Sequence, residues 1–240
     1  MSMQLEIDKI LPELREKGVF VIPDFTEGAL LEKLNTEFSH ILNEPEAEWI
    51  KDHPDLTTAK FLEREKIIDK YPFTKLFFSS TGMQDLIDAY FANRNIQANT
   101  KIWAIKDTEK ITHIAQDLHF DISRTLKYFL YLNDVTEENG AFRCIPGSHN
   151  SITKGIRIRY KDEINYNNRH LSRVKEQEGE SMCVEGKAGT LIIFDTNVLH
   201  QAGFCSKGYR KIMRGQSSIY EYDYSEKGFL KRIKNIFVKR

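Results

Sequence analysis

Two histidines and one aspartate supply the side chains best suited to metal chemistry in this chain. His119 and Asp121 are separated by one residue in the segment AQDLHFDISRTLKYFLYLND. Because side chains alternate between the two faces of an extended strand, these two would offer an imidazole and a carboxylate to one point. His200, near the end of the apolar segment GTLIIFDTNVLHQAG, supplies a third ligand. Two histidines and one carboxylate leave open positions on an octahedral metal, which is typical of non-haem Fe(II) sites.

Other polar residues near these ligands are alternatives. Asp117 lies two residues before His119 and could present the same pair of groups in the opposite order. His113 would face the same side of a continuous strand as His119, but it lies six residues before it. His149 follows a Pro-Gly turn in PGSHN, and we expect it and Ser148 to satisfy local backbone groups. A buried histidine on an apolar strand is more often a hydrogen-bonded core residue than a ligand, so the surrounding motifs must decide.

The elements that would position these ligands change along the chain from helices to strands. Apolar residues at helical spacing predict helices at about 4–17, 27–43 and 83–91. VFVIPDF predicts a short buried strand between the first two helices. From residue 100 onward, short apolar segments separated by turns predict strands: KIWAI, ITHIAQDLHFD, LKYFLYLND, AFRCIP, GTLIIFD, VLHQAG and KIMRGQSSIYEY. Helices followed by many short strands indicate a helical preface packed on a β-barrel or double sheet.

Length and composition favour an ordinary globular protein. The chain has 240 residues, of which 40% are hydrophobic and 29% charged. Its formal net charge is zero, so no general attraction to nucleic acid is expected. The three cysteines lie far apart without a CxxC pair, which argues against a disulfide framework or a zinc ribbon. The N-terminus is too charged for a signal peptide and no apolar run reaches membrane-spanning length, so we expect a cytoplasmic protein without stable membrane insertion.

Three motifs follow one another in a distinctive order: LHFD, then LNDVTEENGAFRCIPGSHN, then GKAGTLIIFDTNVLHQAG. This order resembles the phytanoyl-CoA dioxygenase family, and GVFVIPDF resembles the family's N-terminal opening. The resemblance implies a mainly β fold with a helical N-terminal preface, namely a double-stranded β-helix, which is a cupin-like jelly roll. It also implies an enzyme that binds Fe(II) and uses 2-oxoglutarate and O2. Since the family has histidine before aspartate, the resemblance implies that His119, Asp121 and His200 hold the iron.

On this resemblance, residues 1–240 form one dioxygenase domain. Its expected parts are a preface over about 1–95, a jelly-roll core over about 98–224 and a basic helix over about 227–240. The tail KGFLKRIKNIFVKR has six basic and no acidic residues, with apolar residues at helical spacing. We expect it to pack on the protein body or on a second subunit of a homo-oligomer rather than on a membrane. The stretch 154–175 has seven Lys/Arg against two acids, and is either a solvated loop or a lid that attracts a polar or anionic substrate.

The far carboxylate of 2-oxoglutarate would need a buried cation, and a bidentate arginine suits it best. The family places this arginine about one strand past the distal histidine, where HQAGFCSKGYRKIMRGQ supplies Arg210 and Arg214. The GYRK context favours Arg210. Arg214 remains an alternative, because residues four apart on a strand face the same side. Lys127, Phe129 and Tyr131 share one face of the strand after the first two ligands and could line the pocket. Lys127 could equally be a solvated surface lysine.

The implied reaction is hydroxylation of an unactivated C–H bond in a small, polar or anionic metabolite, with release of succinate and CO2. Sugars, nucleotide-linked compounds and acyl thioesters are the substrate classes considered. The carboxylate of Asp121 favours hydroxylation over halogenation, because related halogenases replace it with a small residue; desaturation and ring formation stay open. Two alternatives remain: a non-oxidative cupin-like metalloenzyme, which needs no arginine for a co-substrate, and a binding protein on a degenerate oxygenase scaffold.

Overall fold

The computed structural model describes residues 4–45, 48–49, 58–63, 70–80, 82–99, 101–109, 114–121, 123–150, 171–173 and 180–220. Most of the basic stretch 154–175 and the whole predicted C-terminal helix at 227–240 lie outside these ranges, as does His113. Within them, no helix combines the length and the apolar character needed to cross a bilayer.

The described residues of the N-terminal part form four α-helices, three of which were predicted. They are α1 (Ile7–Lys17), α2 (Gly28–Asn43), α3 (Pro72–Ser80) and α4 (Met83–Phe91). Helix α1 ends at Gly18, whose φ of 73° is in the left-handed region and whose N–H donates to Leu14 O at 2.9 Å. The predicted apolar stripe of α2 is confirmed, because Leu34, Phe38 and Ile41 are buried.

Two antiparallel sheets follow the helices in a sandwich that matches the predicted jelly roll. The larger sheet has the strand order β1-β10-β6-β12-β4-β3-β2, and the smaller has the order β8-β5-β11-β7-β9. The strands are β1 (Val19–Ile22), β2 (Glu48–Trp49), β3 (Thr58–Glu63), β4 (Lys101–Thr108), β5 (His119–Asp121), β6 (Leu126–Tyr131), β7 (Phe142–Ile145), β8 (Leu171–Arg173), β9 (Met182–Val184), β10 (Leu191–Asp195), β11 (Leu199–Gln201) and β12 (Tyr209–Gln216). The preface is not purely helical, since β1, β2 and β3 extend the larger sheet.

Alternation along β6 separates two apolar cores on the two faces of the larger sheet. Leu126, Tyr128 and Leu130 join the core that the helices cover. Phe129 and Tyr131 point the other way, into a second core with residues of the smaller sheet. The same alternation holds on β12, where Met213 lies on the helix side and Ile212 on the inner side. The inner core is the interior of the jelly roll, and β5 and β11 of the smaller sheet face it.

A turn after β7 fastens the smaller sheet to the first helix. Gly147, with φ of 79°, donates its N–H to Lys17 O at 2.7 Å. Ser148 Oγ donates to Ile145 O at 2.6 Å and accepts from the N–H of Leu199 at 2.8 Å. His149 Nε2 lies 3.1 Å from Arg15 O. The PGSHN segment therefore makes backbone contacts, as expected for a structural turn, and it positions the start of β11.

Candidate metal and co-substrate site

Two neighbouring strands bring the three predicted ligands together. His119 on β5 is the direct cross-strand partner of His200 on β11, and Asp121 lies two residues further along β5. All three side chains are buried, with 3%, 7% and 4% of His119, Asp121 and His200 exposed. Asp121 Oδ1 lies 3.8 Å from Nε2 of each histidine, and one potential ligand atom from each residue lies within 4.8 Å of the others. The arrangement offers two imidazole nitrogens and one carboxylate oxygen to a single ion.

Backbone carbonyls fix which nitrogen of each histidine faces this point. His119 Nδ1 lies 2.6 Å from Asp117 O, and His200 Nδ1 lies 2.8 Å from Val198 O. Because a carbonyl only accepts, each Nδ1 carries the hydrogen and donates it, which leaves the lone pair on Nε2 for a metal. Asp117, the alternative to Asp121, thus contributes a backbone carbonyl to His119, and its carboxylate is not part of the three-residue group.

Burial and neighbouring charges set protonation states that suit metal binding. Burial lowers the pKa of His200 to about 3, with a further contribution from His119. Burial likewise lowers the pKa of His119. For Asp121 burial acts to raise the pKa, but the charge of Lys127, together with His200 and His119, outweighs it and lowers the pKa to about 2. Neutral imidazoles and an ionised carboxylate are the forms that bind a metal ion.

Lys127 lies inside the site rather than at the surface. Its Nζ donates to Asp121 Oδ2 at 2.5 Å, and only 12% of its side chain is exposed. Burial lowers the pKa of Lys127, Asp121 opposes that shift, and Arg214 adds to it. Phe129, two residues along β6, packs its ring 5.0 Å from Phe194, whose ring lies 5.0 Å from that of His200. Lys127 and Phe129, two of the three pocket residues predicted on β6, thus point into the interior that the candidate ligands face.

The two arginines of β12 face the same interior but have different surroundings. Arg210 is paired with Asp107, its cross-strand partner on β4, through Nε at 3.0 Å and through Nη2. Nη1 of Arg210 also donates to Gly140 O. Arg214 lies with its guanidinium carbon 4.2 Å from the ring centroid of Trp103 and donates from Nη2 to Gln216 Oε1 at 2.8 Å.

Charge near the metal ligands therefore comes from Arg214 and Lys127, not from Arg210. Burial lowers the pKa of Arg214 to about 10, and the carboxylate of Asp121 opposes this shift. Arg214 thus stays charged at neutral pH and interacts electrostatically with both Asp121 and Lys127. The ion pair of Arg210 with Asp107 has no net charge.

The contacts that hold β5 and β11 side by side could not be predicted from the sequence. Asp195, fully buried at the end of β10, accepts from Arg124 Nε at 2.7 Å and from the Tyr90 hydroxyl at 2.7 Å. Its other carboxylate oxygen accepts from Asn197 N at 2.8 Å, which shapes the turn into β11. Thr196 O in that turn accepts from the N–H of Asp121 at 2.8 Å. The Thr-Asn pair signalled the turn, but the side chains that bind Asp195 beside it lie 71 and 105 residues away along the chain.

A jelly roll that presents two histidines and one carboxylate from neighbouring strands defines a class, the non-haem Fe(II) oxygenases. The chain belongs to the phytanoyl-CoA dioxygenase (PhyH) family, whose sequence model matches residues 14–212. The resemblance, the fold and the expected class of cofactors, Fe(II) with 2-oxoglutarate and O2, are confirmed at the level of this family. A comparison with curated protein sequences gave no match.

Solved structures of the same architecture are similar over most of the chain. The epimerase SnoN, in complex with Fe3+, alpha ketoglutarate and nogalamycin RO, has a TM-score of 0.63 at 13% identity, covering 88% of this chain and 82% of SnoN. The carbocyclase SnoK from nogalamycin biosynthesis has a TM-score of 0.61 at 14% identity, covering 95% and 93%. EctD from S. alaskensis with 2-oxoglutarate and 5-hydroxyectoine has a TM-score of 0.57 at 15% identity, covering 87% and 74%. At these identities the similarity establishes the fold.

Proposed function

We propose that this protein is an Fe(II)- and 2-oxoglutarate-dependent dioxygenase that hydroxylates an unactivated C–H bond of a small metabolite. The observation that carries the proposal is the buried group of His119, Asp121 and His200, whose Nε2 and Oδ1 atoms converge on one point. These atoms would hold the metal. Iron bound there supplies the activation of O2, coupled to the decarboxylation of 2-oxoglutarate to succinate and CO2.

The co-substrate is a dianion and needs positive charge inside the jelly roll. We assign its carboxylate anchor to Arg214, with Lys127 adjacent to the metal ligand Asp121. Arg210, which its sequence context favours, is the weaker choice because Asp107 already neutralises its guanidinium. A second carboxylate beside that ion pair would add a buried charge without a cation to balance it. The guanidinium carbon of Arg214 lies 4.2 Å from the centroid of the Trp103 ring, and a guanidinium can make a bidentate contact with a carboxylate.

Hydroxylation is proposed as the outcome because Asp121 supplies a carboxylate where related halogenases have a small residue. The similar structures include an epimerase, a carbocyclase and a complex with 5-hydroxyectoine, so the same architecture serves several different reactions. The excess of positive charge from Lys127 and Arg214 supports a polar or anionic substrate. Sugar phosphates, nucleotide-linked sugars and acyl thioesters form the panel to test.

The experiment measures succinate released from 2-oxoglutarate with Fe(II) under air, in the presence and absence of each substrate class. Wild-type protein should release succinate, and one class should increase the rate and gain one oxygen atom. His119→Ala, Asp121→Ala and His200→Ala should each abolish release and Fe(II) binding while leaving the fold largely intact. His40→Ala is the matched control, because His40 is exposed on α2. Metal binding without 2-oxoglutarate binding or succinate would overturn the proposal in favour of a non-oxidative cupin-like enzyme.

A further inference from the structure

The two oxygens of the Asp121 carboxylate have separate roles. Oδ2 accepts the hydrogen bond from Lys127 Nζ at 2.5 Å. Oδ1 is the oxygen that lies 3.8 Å from Nε2 of both His119 and His200. With 12% and 10% of the Lys127 and Asp121 side chains exposed, the ion pair is largely shielded from water. The ammonium thus holds the carboxylate with one oxygen turned toward the metal position.

The same ammonium determines the charge that an incoming ligand meets. Two neutral imidazoles, one carboxylate and one ammonium sum to zero in the metal-free site, and the guanidinium of Arg214 adds one positive charge. A divalent cation bound alone would lie close to the positive charge of Lys127, and in a buried site this repulsion is only weakly screened. When a dianionic 2-oxo acid is bound next to the metal, the interaction of the bound ligands with Lys127 becomes attractive. The carboxylates of the 2-oxo acid are attracted to Lys127 and to Arg214. Lys127 should therefore oppose the metal alone and favour the metal together with the dianion.

We propose that Lys127 is a positioning residue that couples the binding of the divalent metal to the binding of the dianionic 2-oxo acid. This inference rests on the proposed function, since it takes 2-oxoglutarate as the second ligand. Coupling between two ligands is reciprocal, so 2-oxoglutarate tightens metal binding by the factor by which the metal tightens 2-oxoglutarate binding. As a consequence the site fills with both ligands together rather than with metal alone.

The test is anaerobic calorimetric titration of Fe(II) into the full-length protein, without and with saturating 2-oxoglutarate, at one near-neutral pH. The ratio of the two dissociation constants is the coupling factor. Lys127→Gln keeps a hydrogen-bond donor for Asp121 but removes the charge, and Lys127→Arg keeps the charge. Lys127→Met is a second variant without charge, for use if the glutamine does not fold. Lys211→Met is the matched control, because Lys211 lies on β12 with its ammonium 5.9 Å from the ring of Phe38, on the helix side of the sheet.

In wild type, Lys127→Arg and Lys211→Met, 2-oxoglutarate should tighten Fe(II) binding to a similar extent. In Lys127→Gln the coupling factor should fall on the order of tenfold or more, within the range usual for coupled sites. Fe(II) alone should bind Lys127→Gln at least as tightly as wild type. An unchanged coupling factor, or an equal weakening of Fe(II) binding with and without 2-oxoglutarate, would overturn the inference and leave Lys127 a structural role. Failure of the proposed function gives a different result, since wild type itself would then bind no 2-oxoglutarate in the presence of metal.

Discussion

Replacing Arg210 with alanine should destabilise the protein through its ion pair with Asp107. Only 3% of Arg210 and 4% of Asp107 are exposed, and the pair has two contacts to one carboxylate oxygen, with a further hydrogen bond to Gly140 O. Removing one partner of such a buried pair typically costs about 3–5 kcal/mol, because the remaining charge stays buried. At about 2–4 °C per kcal/mol for a chain of this size, the unfolding midpoint should fall by roughly 6–20 °C.

Urea unfolding of the metal-free protein measures this loss, and two controls interpret it. Arg143→Ala removes an arginine whose ion pair with Glu137 is much more exposed, at 27% and 69%, and should change the unfolding free energy by less than about 1 kcal/mol. The double variant Arg210→Ala with Asp107→Ala should lose less than the sum of the single losses, since the two side chains form one pair. A structural role for Arg210 would be refuted if the unfolding free energy of Arg210→Ala lay within about 1 kcal/mol of the wild-type value while its requirement for 2-oxoglutarate rose about a hundredfold. Arg210 would then be the co-substrate anchor.

Three further predictions concern the site itself. Arg214→Ala should raise the concentration of 2-oxoglutarate required for succinate release by on the order of a hundredfold to a few thousandfold. Arg214→Lys should restore part of the lost affinity. An unchanged requirement in Arg214→Ala would show that Arg214 is not the anchor. Asp121→Gly should lose Fe(II) binding and hydroxylation, so near-native product formation would show that Asp121 is not a ligand. The unfolding free energy of the metal-free protein should fall as pH drops from about 6.5 toward 3, because the unfolded chain takes up a proton that buried His200, with its pKa of about 3, does not. Urea titrations across this range test it, and a flat profile in wild type would contradict the burial argument.

The convergence of the three candidate ligands could be predicted because it depends on strand alternation and on the order of three sequence motifs. Parity along β5 is sufficient to put His119 and Asp121 on one face. The third ligand follows from the position of His200 on a strand after a turn, and the structure pairs it directly with His119. The sequence also predicted the helix side of the fold, since the apolar stripes of α1, α2 and α4 are strong. It missed α3, which begins at Pro72, and the strands β2, β3, β8 and β9, of which β2 and β3 lie between prolines in a polar stretch.

The positions of the cations could not be predicted by the same rules, because parity fixes the face of a side chain but not its partner. Arg210 and Arg214 share a face of β12, and the sequence context favoured Arg210 without showing what either guanidinium contacts. The pairing of β12 with β4 gives them different surroundings, since it sets Asp107 opposite Arg210 and Trp103 opposite Arg214. A carboxylate opposite one arginine neutralises it, whereas an indole opposite the other leaves its charge available. Lys127 follows the same logic, because only the approach of β6 to the end of β5 shows that its ammonium meets Asp121. The register between strands that are distant in sequence therefore determines which positive charges are available to a dianionic co-substrate.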